Sequence, residues 1–118
     1  MDRLTYVVDI DGTICSFTDG NYLQCQPFQQ RIDTLNQLFD AGHEIIYFTA
    51  RGMGSSGNNQ IEAYKSLYQF TLDQLADWGC RFSALYMGKP KGDFYIDDRG
   101  VADTDFFLQQ AGQQKARK

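Results

Sequence analysis

The chain has 118 residues, of which 42% are hydrophobic and 22% are charged, a composition typical of a folded domain and not of a disordered segment. Its formal net charge of −4 argues against nucleic acid as a partner and against a membrane surface, since both require a basic face. No apolar run approaches the roughly 20 residues of a membrane helix, and the N-terminal residues lack the pattern of a signal peptide. We therefore expect a cytoplasmic protein.

The first third of the chain predicts a strand, a loop and a helix. Residues 4–10 form a short apolar run, typical of a strand that is buried on both faces. Residues 11–26 are rich in glycine and polar residues and are predicted to form a loop. Pro27 opens a helix whose apolar residues recur at helical spacing, and Gly42 ends it.

The middle of the chain repeats this alternation. Residues 44–49, EIIYFT, predict a second buried strand. A glycine-rich loop then leads to a second helix, for which either Asn58 or Asn59 is a suitable N-cap and Gly79 a suitable end.

The last third predicts a third strand over about residues 83–87, a fourth over about 94–96, and a final helix that begins near Asp103. Apolar strands that alternate with helices indicate an α/β fold. We expect one doubly wound, Rossmann-like parallel sheet with helices on both faces, forming a single domain over residues 1–118.

Residues that bind charge follow every predicted strand. In chain order they are Asp9 and Asp11, then Thr49, Ala50 and Arg51, then Gly88 and Lys89, and finally Asp97, Asp98 and Arg99. Because ligands of open α/β sheets bind outside the carboxyl ends of the strands, these residues are predicted to meet at one edge of the sheet.

The residues expected at this edge form a set that can bind a metal ion and a phosphate together. Its four carboxylates would repel one another without a cation, and hard oxygen ligands of this kind suit Mg²⁺. Lys89 adds a positive charge and Thr49 a neutral donor, so the group can hold a phosphate beside a metal while a carboxylate attacks the phosphorus. Gly12 allows a sharp turn after the first strand, which lets Asp11 reach round as a proton donor.

These residues resemble the four motifs of the haloacid dehalogenase (HAD) superfamily. The motifs are DIDGT at 9–13, Thr49 after a hydrophobic strand, a downstream lysine, and DD at 97–98, and the resemblance covers nearly the whole chain. The sequence also resembles that of small capless phosphatases of this superfamily over the stretch GHEIIYFTARG…GKPKGDFYIDDR. Some of these proteins are labelled capsule or surface-polysaccharide biosynthesis phosphatases. The sequence is also similar to the phosphatase domain of polynucleotide kinase/phosphatase enzymes.

The resemblance implies a Mg²⁺-dependent phosphatase that acts on a small phosphorylated substrate, such as a sugar or polyol phosphate. It implies that Asp9 is the nucleophile, and that Asp11 is the acid and base while its backbone carbonyl touches the metal. Asp97 is then the third protein ligand of the metal, with Asp98 a ligand through water or an orienting neighbour. An aspartate at position 11 favours hydrolysis of phosphate esters over cleavage of carbon–halogen bonds.

The remaining roles concern the phosphoryl group. By the same resemblance, Thr49 donates a hydrogen bond to it and Lys89 neutralises its charge, with Lys91 as the alternative lysine. The expected substrate-binding positions are Gly12, Thr13, Ala50 and Arg51. Arg51 has two interpretations, a contact with substrate or an ion pair with a nearby carboxylate.

Two other function classes compete with this interpretation. A nucleic-acid end phosphatase is disfavoured by the acidic net charge. A receiver-like signalling module has its acidic pair side by side after the first strand and its phospho-accepting aspartate after a later one, whereas here D-x-D comes first. The stretch at 52–57 spells GxGxxG, but it follows the second strand, and we interpret it as a loop at the rim of the site and not as a dinucleotide site.

Two further expectations concern the surroundings of the site. No segment is long enough for a cap domain, so we expect an open site that accepts a bulky substrate or is covered by a second copy in a homo-oligomer. The cysteines Cys15, Cys25 and Cys80 are odd in number and form no CxxC pair, which indicates neither a disulfide framework nor a zinc site.

Overall fold

The computed structural model describes residues 2–116, and it describes side chains as far as residue 112. The strands of the sheet are β1 (Thr5–Val8), β2 (Glu44–Thr49) and β3 (Ala84–Met87). The α-helices are α1 (Gln29–Asp40), α2 (Gln60–Asp77) and α3 (Asp103–Ala116), and a short 3₁₀ helix covers Tyr22–Gln24. None of these helices, within the described range, is long and apolar enough to cross a membrane.

The sheet is parallel, with the strands in the order β1-β2-β3. Parallel neighbours need a long crossover connection, and α1 and α2 supply the two crossovers. The predicted α/β class with a parallel, Rossmann-like sheet is confirmed. This arrangement places the residues that follow β1, β2 and β3 at a common edge.

The core lies between one face of the sheet and the helices. Alternate residues of β2, Ile45 and Tyr47, are fully buried, and Leu85 of β3 is 8% exposed on the same face. The helices contribute residues such as Leu35 of α1 and Leu75 of α2, both with no exposed surface. The strand period of two selects this face, because alternate side chains point to opposite sides.

Local sequence signals set most of the helix boundaries. The side chain of Asn59 accepts a hydrogen bond from the backbone N–H of Glu62, at 3.1 Å, so Asn59 is the N-cap of α2. Gly79 follows the C-cap with φ of 76°, a conformation that favours glycine. The start of α1 differs by two residues from the prediction, because Pro27 forms a backbone bridge with Cys15 and the helix begins at Gln29.

The predicted fourth strand at 94–96 is wrong. This segment has no regular structure, and Phe94 and Ile96 are 85% and 95% exposed. Local hydrogen bonds replace a ladder, because the hydroxyl of Tyr95 donates to the carbonyl of Pro90 and accepts from the N–H of Gly92. Side-chain bonds of this kind compete with strand pairing.

Helices were also expected on both faces of the sheet. In the part of the chain that the structure describes, α3 packs beside α1 on the core face, where Phe106 lies 5.7 Å from the ring of Tyr6. On the opposite face, Val7 and Tyr86 remain 61% and 56% exposed. The missing fourth strand explains the difference, since the chain from β3 to α3 does not cross to that face as part of the sheet.

A buried amide ties α1 to the turn between α2 and β3. Asn36 is 5% exposed, donates to the carbonyl of Gly79 at 2.9 Å and accepts from the N–H of Arg81 at 2.8 Å. We expect Asn36→Ala to lower the free energy of unfolding by about 1–3 kcal/mol, because two backbone groups lose their partner. Urea denaturation measures the change.

The matched control is Thr34→Ala in the same helix. The hydroxyl of Thr34 bonds only to the carbonyl of Gln30 in its own helix, so we expect a change within about 0.5 kcal/mol. Equal effects of the two substitutions would contradict a tertiary role for Asn36.

Candidate active site at the carboxyl ends of the strands

A cavity of about 500 Å³ opens at the carboxyl edge of the sheet. Its wall is formed by residues that follow β1, β2 and β3, together with residues of the loop after β1. The charged members are Asp9, Asp11, Asp19, Arg51, Lys89 and Lys91. The three acidic and three basic side chains make the cavity polar without a net formal charge.

Asp9, directly after β1, is a partly exposed carboxylate of this cavity, with 34% of its side chain exposed. Its Oδ1 atom lies 3.4 Å from Nζ of Lys89, and its Oδ2 atom accepts a hydrogen bond from the hydroxyl of Thr13 at 3.5 Å. Burial raises the pKa of Asp9, and the positive charge of Lys89 offsets this only in part. Asp9 is therefore a partly desolvated carboxylate, a state suited to a nucleophile or metal ligand.

Asp11 is held by a bidentate ion pair. Its Oδ2 atom is 2.9 Å from Nε of Arg51, and its Oδ1 atom is 3.0 Å from Nη2. Oδ1 also accepts weak hydrogen bonds from the thiols of Cys15 and Cys25, at 3.6 and 3.5 Å. The carboxylate of Asp11 is thus fixed on two sides, whereas that of Asp9 faces the cavity more openly.

Gly12 makes this placement possible. Its φ is 85°, and its N–H donates to the carbonyl of Cys15 at 2.8 Å while the N–H of Thr13 donates to the carbonyl of Ile10. Only glycine adopts this backbone conformation without strain. The turn directs Asp11 towards Arg51, which follows β2.

Arg51 is the largest fully buried side chain of the described residues. Its Nη1 atom donates to the hydroxyl of Thr71 at 3.3 Å, and its guanidinium carbon lies 4.6 Å from the centre of the Tyr22 ring. Burial opposes the charge, but the hydrogen bonds and charge of Asp11 outweigh it, so that the pKa of Arg51 is raised. Arg51 therefore stays charged inside the protein.

Lys89 follows β3 and is anchored to β2, since its N–H donates to the carbonyl of Thr49 at 3.1 Å. Its ammonium group sits 4.2 Å from the centre of the Tyr95 ring. Lys91 lies further out, and its N–H donates to the side chain of Asn58 at 3.1 Å. Of the two lysines, Lys89 is the one that pairs with Asp9.

The structure brings together part of the predicted set. The predicted residues that line the cavity are Asp9, Asp11, Ala50, Arg51 and Lys89, together with the alternative lysine, Lys91. Gly12 and Thr13 are not among the residues that line it. Thr49 is fully buried, and its hydroxyl accepts from the N–H of Arg51 at 3.1 Å, so it does not face the cavity here.

Asp97 and Asp98 are the predicted residues that the structure does not bring to the cavity. Asp98 is 89% exposed and pairs loosely with Arg99, at 3.8 Å, and Asp97 accepts from the N–H of Arg99 in a local turn. The expectation that they meet Asp9 depended on a fourth strand, which does not form. In this placement Asp9 has neither as a close neighbour.

The donor set therefore agrees with Mg²⁺ in chemistry but not in position. Carboxylate oxygens suit this ion, yet among residues 2–116 the group of three acidic or thiol ligands that lies close enough is Asp11 with Cys15 and Cys25. Thiols are poor magnesium ligands, and burial together with the nearby Asp11 raises the pKa of Cys15. This group is a buried hydrogen-bond cluster and not a magnesium site.

Several cavity residues were not predicted as site residues. Thr18, Asp19 and Tyr22 come from the loop after β1, and Tyr95 comes from the segment after β3. Asp19 has φ of 52° beside Gly20, so a turn places its side chain at the rim. The Asp-Gly dipeptide was a signal for that turn, but nothing in the sequence shows which way the turn faces.

Comparisons with known proteins support the fold. No protein-family model matches the chain, and no curated protein is significantly similar to it in sequence. A crystal structure of a target protein from Vibrio cholerae has a TM-score of 0.81 at 24% identity, over 98% of this chain and 99% of that one. A crystal structure of D,D-heptose 1.7-bisphosphate phosphatase from B. bronchiseptica, complexed with magnesium and phosphate, has a TM-score of 0.51 at 15% identity.

The second likeness covers 92% of this chain and 64% of the B. bronchiseptica chain. At these identities both likenesses show a shared fold. The chain has the α/β fold of these two proteins.

The raised pKa of Asp9 predicts an effect on stability. A pKa above the ordinary 3.8 means that the folded chain holds this proton more tightly than the unfolded chain. The contribution of the Asp9 carboxyl to the free energy of unfolding is fully present below pH 3.8 and is lost as the pH rises through the raised pKa. In metal-free buffer, we expect Asp9→Asn to raise the Tm at pH 7, with a gain that shrinks towards pH 4.

Asp40 serves as a control because its pKa is shifted in the opposite direction. Hydrogen bonds from Arg81 lower the pKa of this exposed carboxyl, so its stabilisation is present above 3.8 and is lost as the pH falls through the lowered pKa. Asp40→Asn should therefore lower the Tm at pH 7. A lower Tm for Asp9→Asn at pH 7 would contradict the assignment of Asp9 as a desolvated carboxylate.

Proposed function

We propose that this chain is a phosphomonoesterase of the HAD superfamily that depends on Mg²⁺ and forms an aspartyl-phosphate on Asp9. The observation that carries the proposal is the pairing of a partly exposed Asp9 with Lys89 in a polar cavity at the ends of three parallel strands. The sequence motifs and the fold shared with a phosphatase add support.

The reaction proceeds in two displacements. A carboxylate oxygen of Asp9 attacks the phosphorus, and the bond between phosphorus and the ester oxygen breaks as Asp11 gives that oxygen a proton, for which Asp11 has to be released from Arg51 and protonated beforehand. Water then attacks the phosphorus of the aspartyl-phosphate, and Asp11 takes a proton from the water. The products are the alcohol and inorganic phosphate, and both aspartates return to their starting state.

The neighbouring side chains assist these steps. Lys89, which pairs with Asp9 before substrate binds, neutralises the incoming phosphoryl group. We propose that Thr49 donates a hydrogen bond to this group, since its hydroxyl accepts from the N–H of Arg51 and keeps its own proton to donate. Gly12, Thr13 and Ala50 supply the backbone around it.

Mg²⁺ would be held by Asp9, the backbone carbonyl of Asp11, and Asp97, with Asp98 beside them. When bound, the ion supplies positive charge to the phosphoryl oxygens. Because Asp97 and Asp98 lie outside the cavity in the structure, residues 93–100 must move towards Asp9 to complete the site. This segment has the exposed side chains and local turns of a region that rearranges at low cost.

The proposed substrate is a small sugar or polyol phosphate of surface-polysaccharide metabolism. A cavity of about 500 Å³ lies in the range that holds a small molecule, and its aromatic members Phe17 and Tyr95 offer faces for a sugar ring. The solved B. bronchiseptica phosphatase acts on a heptose bisphosphate, which belongs to the same substrate class. The net charge of −4 disfavours a nucleic-acid end as substrate.

The first test is release of phosphate from p-nitrophenyl phosphate by the wild type and by Asp9→Asn, with Mg²⁺ or with a chelator. We expect catalytic turnover that needs Mg²⁺ and falls at least about 1,000-fold in the variant, because the covalent intermediate is lost. Near-stoichiometric phosphate transfer without turnover would instead indicate a receiver-like module. Full turnover by Asp9→Asn would refute Asp9 as the nucleophile.

The two lysines can be separated by their kinetic effects. Lys89 pairs with Asp9, so Lys89→Met should lower kcat by about 100-fold, because the charge acts on the transferring phosphoryl group. Lys91, at the rim, serves as the matched control, and Lys91→Met should change mainly KM, by less than about 10-fold. The reverse pattern would show that Lys91 is the phosphate-binding lysine.

A further inference from the structure

Lys91 is the positive charge of the cavity that no acidic side chain neutralises. Of the other two basic residues that line the cavity, Lys89 pairs with Asp9. Arg51 pairs with Asp11. Lys91 forms no ion pair with any residue in the part of the chain that the structure describes. Its ammonium group is therefore free to bind an anion that enters the cavity.

Asp19, the remaining acidic residue of the cavity, does not cancel the charge of Lys91. The two side chains form no ion pair with each other. Asp19 belongs to the loop after β1, whereas Lys91 follows β3, and these are the two outer strands of the sheet. A carboxylate accepts hydrogen bonds from hydroxyl groups, so Asp19 suits the polyol part of a substrate.

The loop after β2 fixes the position of Lys91. The backbone N–H of Lys91 donates to the side chain of Asn58 at 3.1 Å, and the N–H of Asn58 donates to the carbonyl of Met53 at 2.6 Å. The lysine side chain lies along Gly54, where an added Cβ atom would stand 2.9 Å from Cδ of Lys91 and 3.1 Å from Nζ. The absence of a side chain at Gly54 therefore leaves the space that Lys91 occupies.

The ammonium groups of Lys89 and Lys91 mark two separate places for anions. Nζ of Lys89 lies 3.4 Å from Oδ1 of Asp9, whereas Lys91 lies against Gly54 and does not pair with Asp9. Only one residue separates the two lysines, so their Cα atoms are at most about 7 Å apart. A single small molecule in this cavity of about 500 Å³ can therefore contact both.

We propose that Lys91 binds a second anionic group of the substrate, a phosphoryl or carboxylate group that is not transferred, while Lys89 binds the phosphoryl group that is. The inference rests on the proposed function and narrows its substrate class to phosphate esters that carry this second charge. An ammonium group has three N–H donors, and hydrogen bonds between charged partners are stronger than those between neutral ones.

Competitive inhibition of p-nitrophenyl phosphate turnover, at a fixed concentration of free Mg²⁺, tests the inference with two matched pairs of compounds. 6-Phosphogluconate differs from glucitol 6-phosphate by a carboxylate, and fructose 1,6-bisphosphate differs from fructose 6-phosphate by a phosphoryl group. The ratio of the two Ki values within a pair measures the effect of the second group. For the wild type, we expect the doubly anionic compound to bind at least about 10-fold more tightly in one pair or in both.

Variants of Lys91 and of its neighbour show whether this preference comes from the lysine. Lys91→Met should lower the ratio to less than about 3, and Lys91→Arg should retain most of it, because the charge is kept. Gly54→Ala should also lower the ratio, since its methyl group displaces the flexible side chain of Lys91 while the charge remains. The backbone of Gly54 is not left-handed, so alanine is compatible with it.

The matched control is Lys65→Met, which removes the charge of an exposed lysine of α2 outside the cavity. We expect it to change the ratio by less than about 2-fold, because the charge of Lys65 is exposed to solvent and screened by salt.

Three results would overturn the inference. The first is equal binding within both pairs by the wild type, and the second is a ratio that survives in Lys91→Met. The third is an equal fall of the ratio in Lys65→Met, which would indicate an effect of net charge. If the wild type does not turn over p-nitrophenyl phosphate, titration calorimetry gives the same ratios as Kd values, with the same criteria.

The inference and the proposed function can fail separately. A ratio that depends on Lys91 would support the second anion site even if Asp9→Asn kept full turnover, a result that would reject the proposed function. A ratio near 1 in the wild type, with turnover that is lost in Asp9→Asn, would reject the inference and support the proposed function.

Discussion

The buried charge of Arg51 is the constraint on which the site depends. A guanidinium group without exposed surface needs a compensating carboxylate, because an unpaired charge in the interior costs several kcal/mol. Asp11 is the carboxylate within reach, and the turn at Gly12 carries it there. The ion pair therefore joins the loop after β1 to the loop after β2. Asp9 lies two residues before Asp11, so the ion pair of Asp11 with Arg51 also limits where the carboxylate of Asp9 can lie.

The parts of this structure that follow from local chemistry could be predicted from the sequence. The three apolar strands depend on neighbours within a few residues and were found, and the N-cap of α2 was narrowed to Asn58 or Asn59, of which the structure shows Asn59. The fourth strand was wrong because a strand needs a partner that no local signal can guarantee. The apolar run at 94–96 fits a strand, but the Tyr95 hydroxyl closes a local turn first.

The site residues likewise fall into those whose position could be predicted from the sequence and those whose position could not. That Asp9, Asp11 and Lys89 would meet followed from the rule that parallel strands end at one edge, and this needed only the order of the elements. The sequence left Arg51 open between a contact with substrate and an ion pair with a nearby carboxylate, because which carboxylate turns towards it depends on the single glycine turn at Gly12. The same limit applies to Asp97 and Asp98, whose position depends on pairing of the segment before them.

The unpaired edge of β1 and the position of Asp97 and Asp98 are physically connected. β1 pairs only with β2 in the described chain, so its other edge has free hydrogen-bonding groups, and Val7 beside them is 61% exposed. The apolar residues Phe94 and Ile96 are also exposed, three residues or fewer ahead of Asp97. Moving Asp97 and Asp98 to Asp9 without a cation would add like charges to a carboxylate whose pKa burial already raises. In the proposed site, a divalent cation would remove that repulsion, and burial of the exposed Phe94 and Ile96 would then favour the movement of this segment.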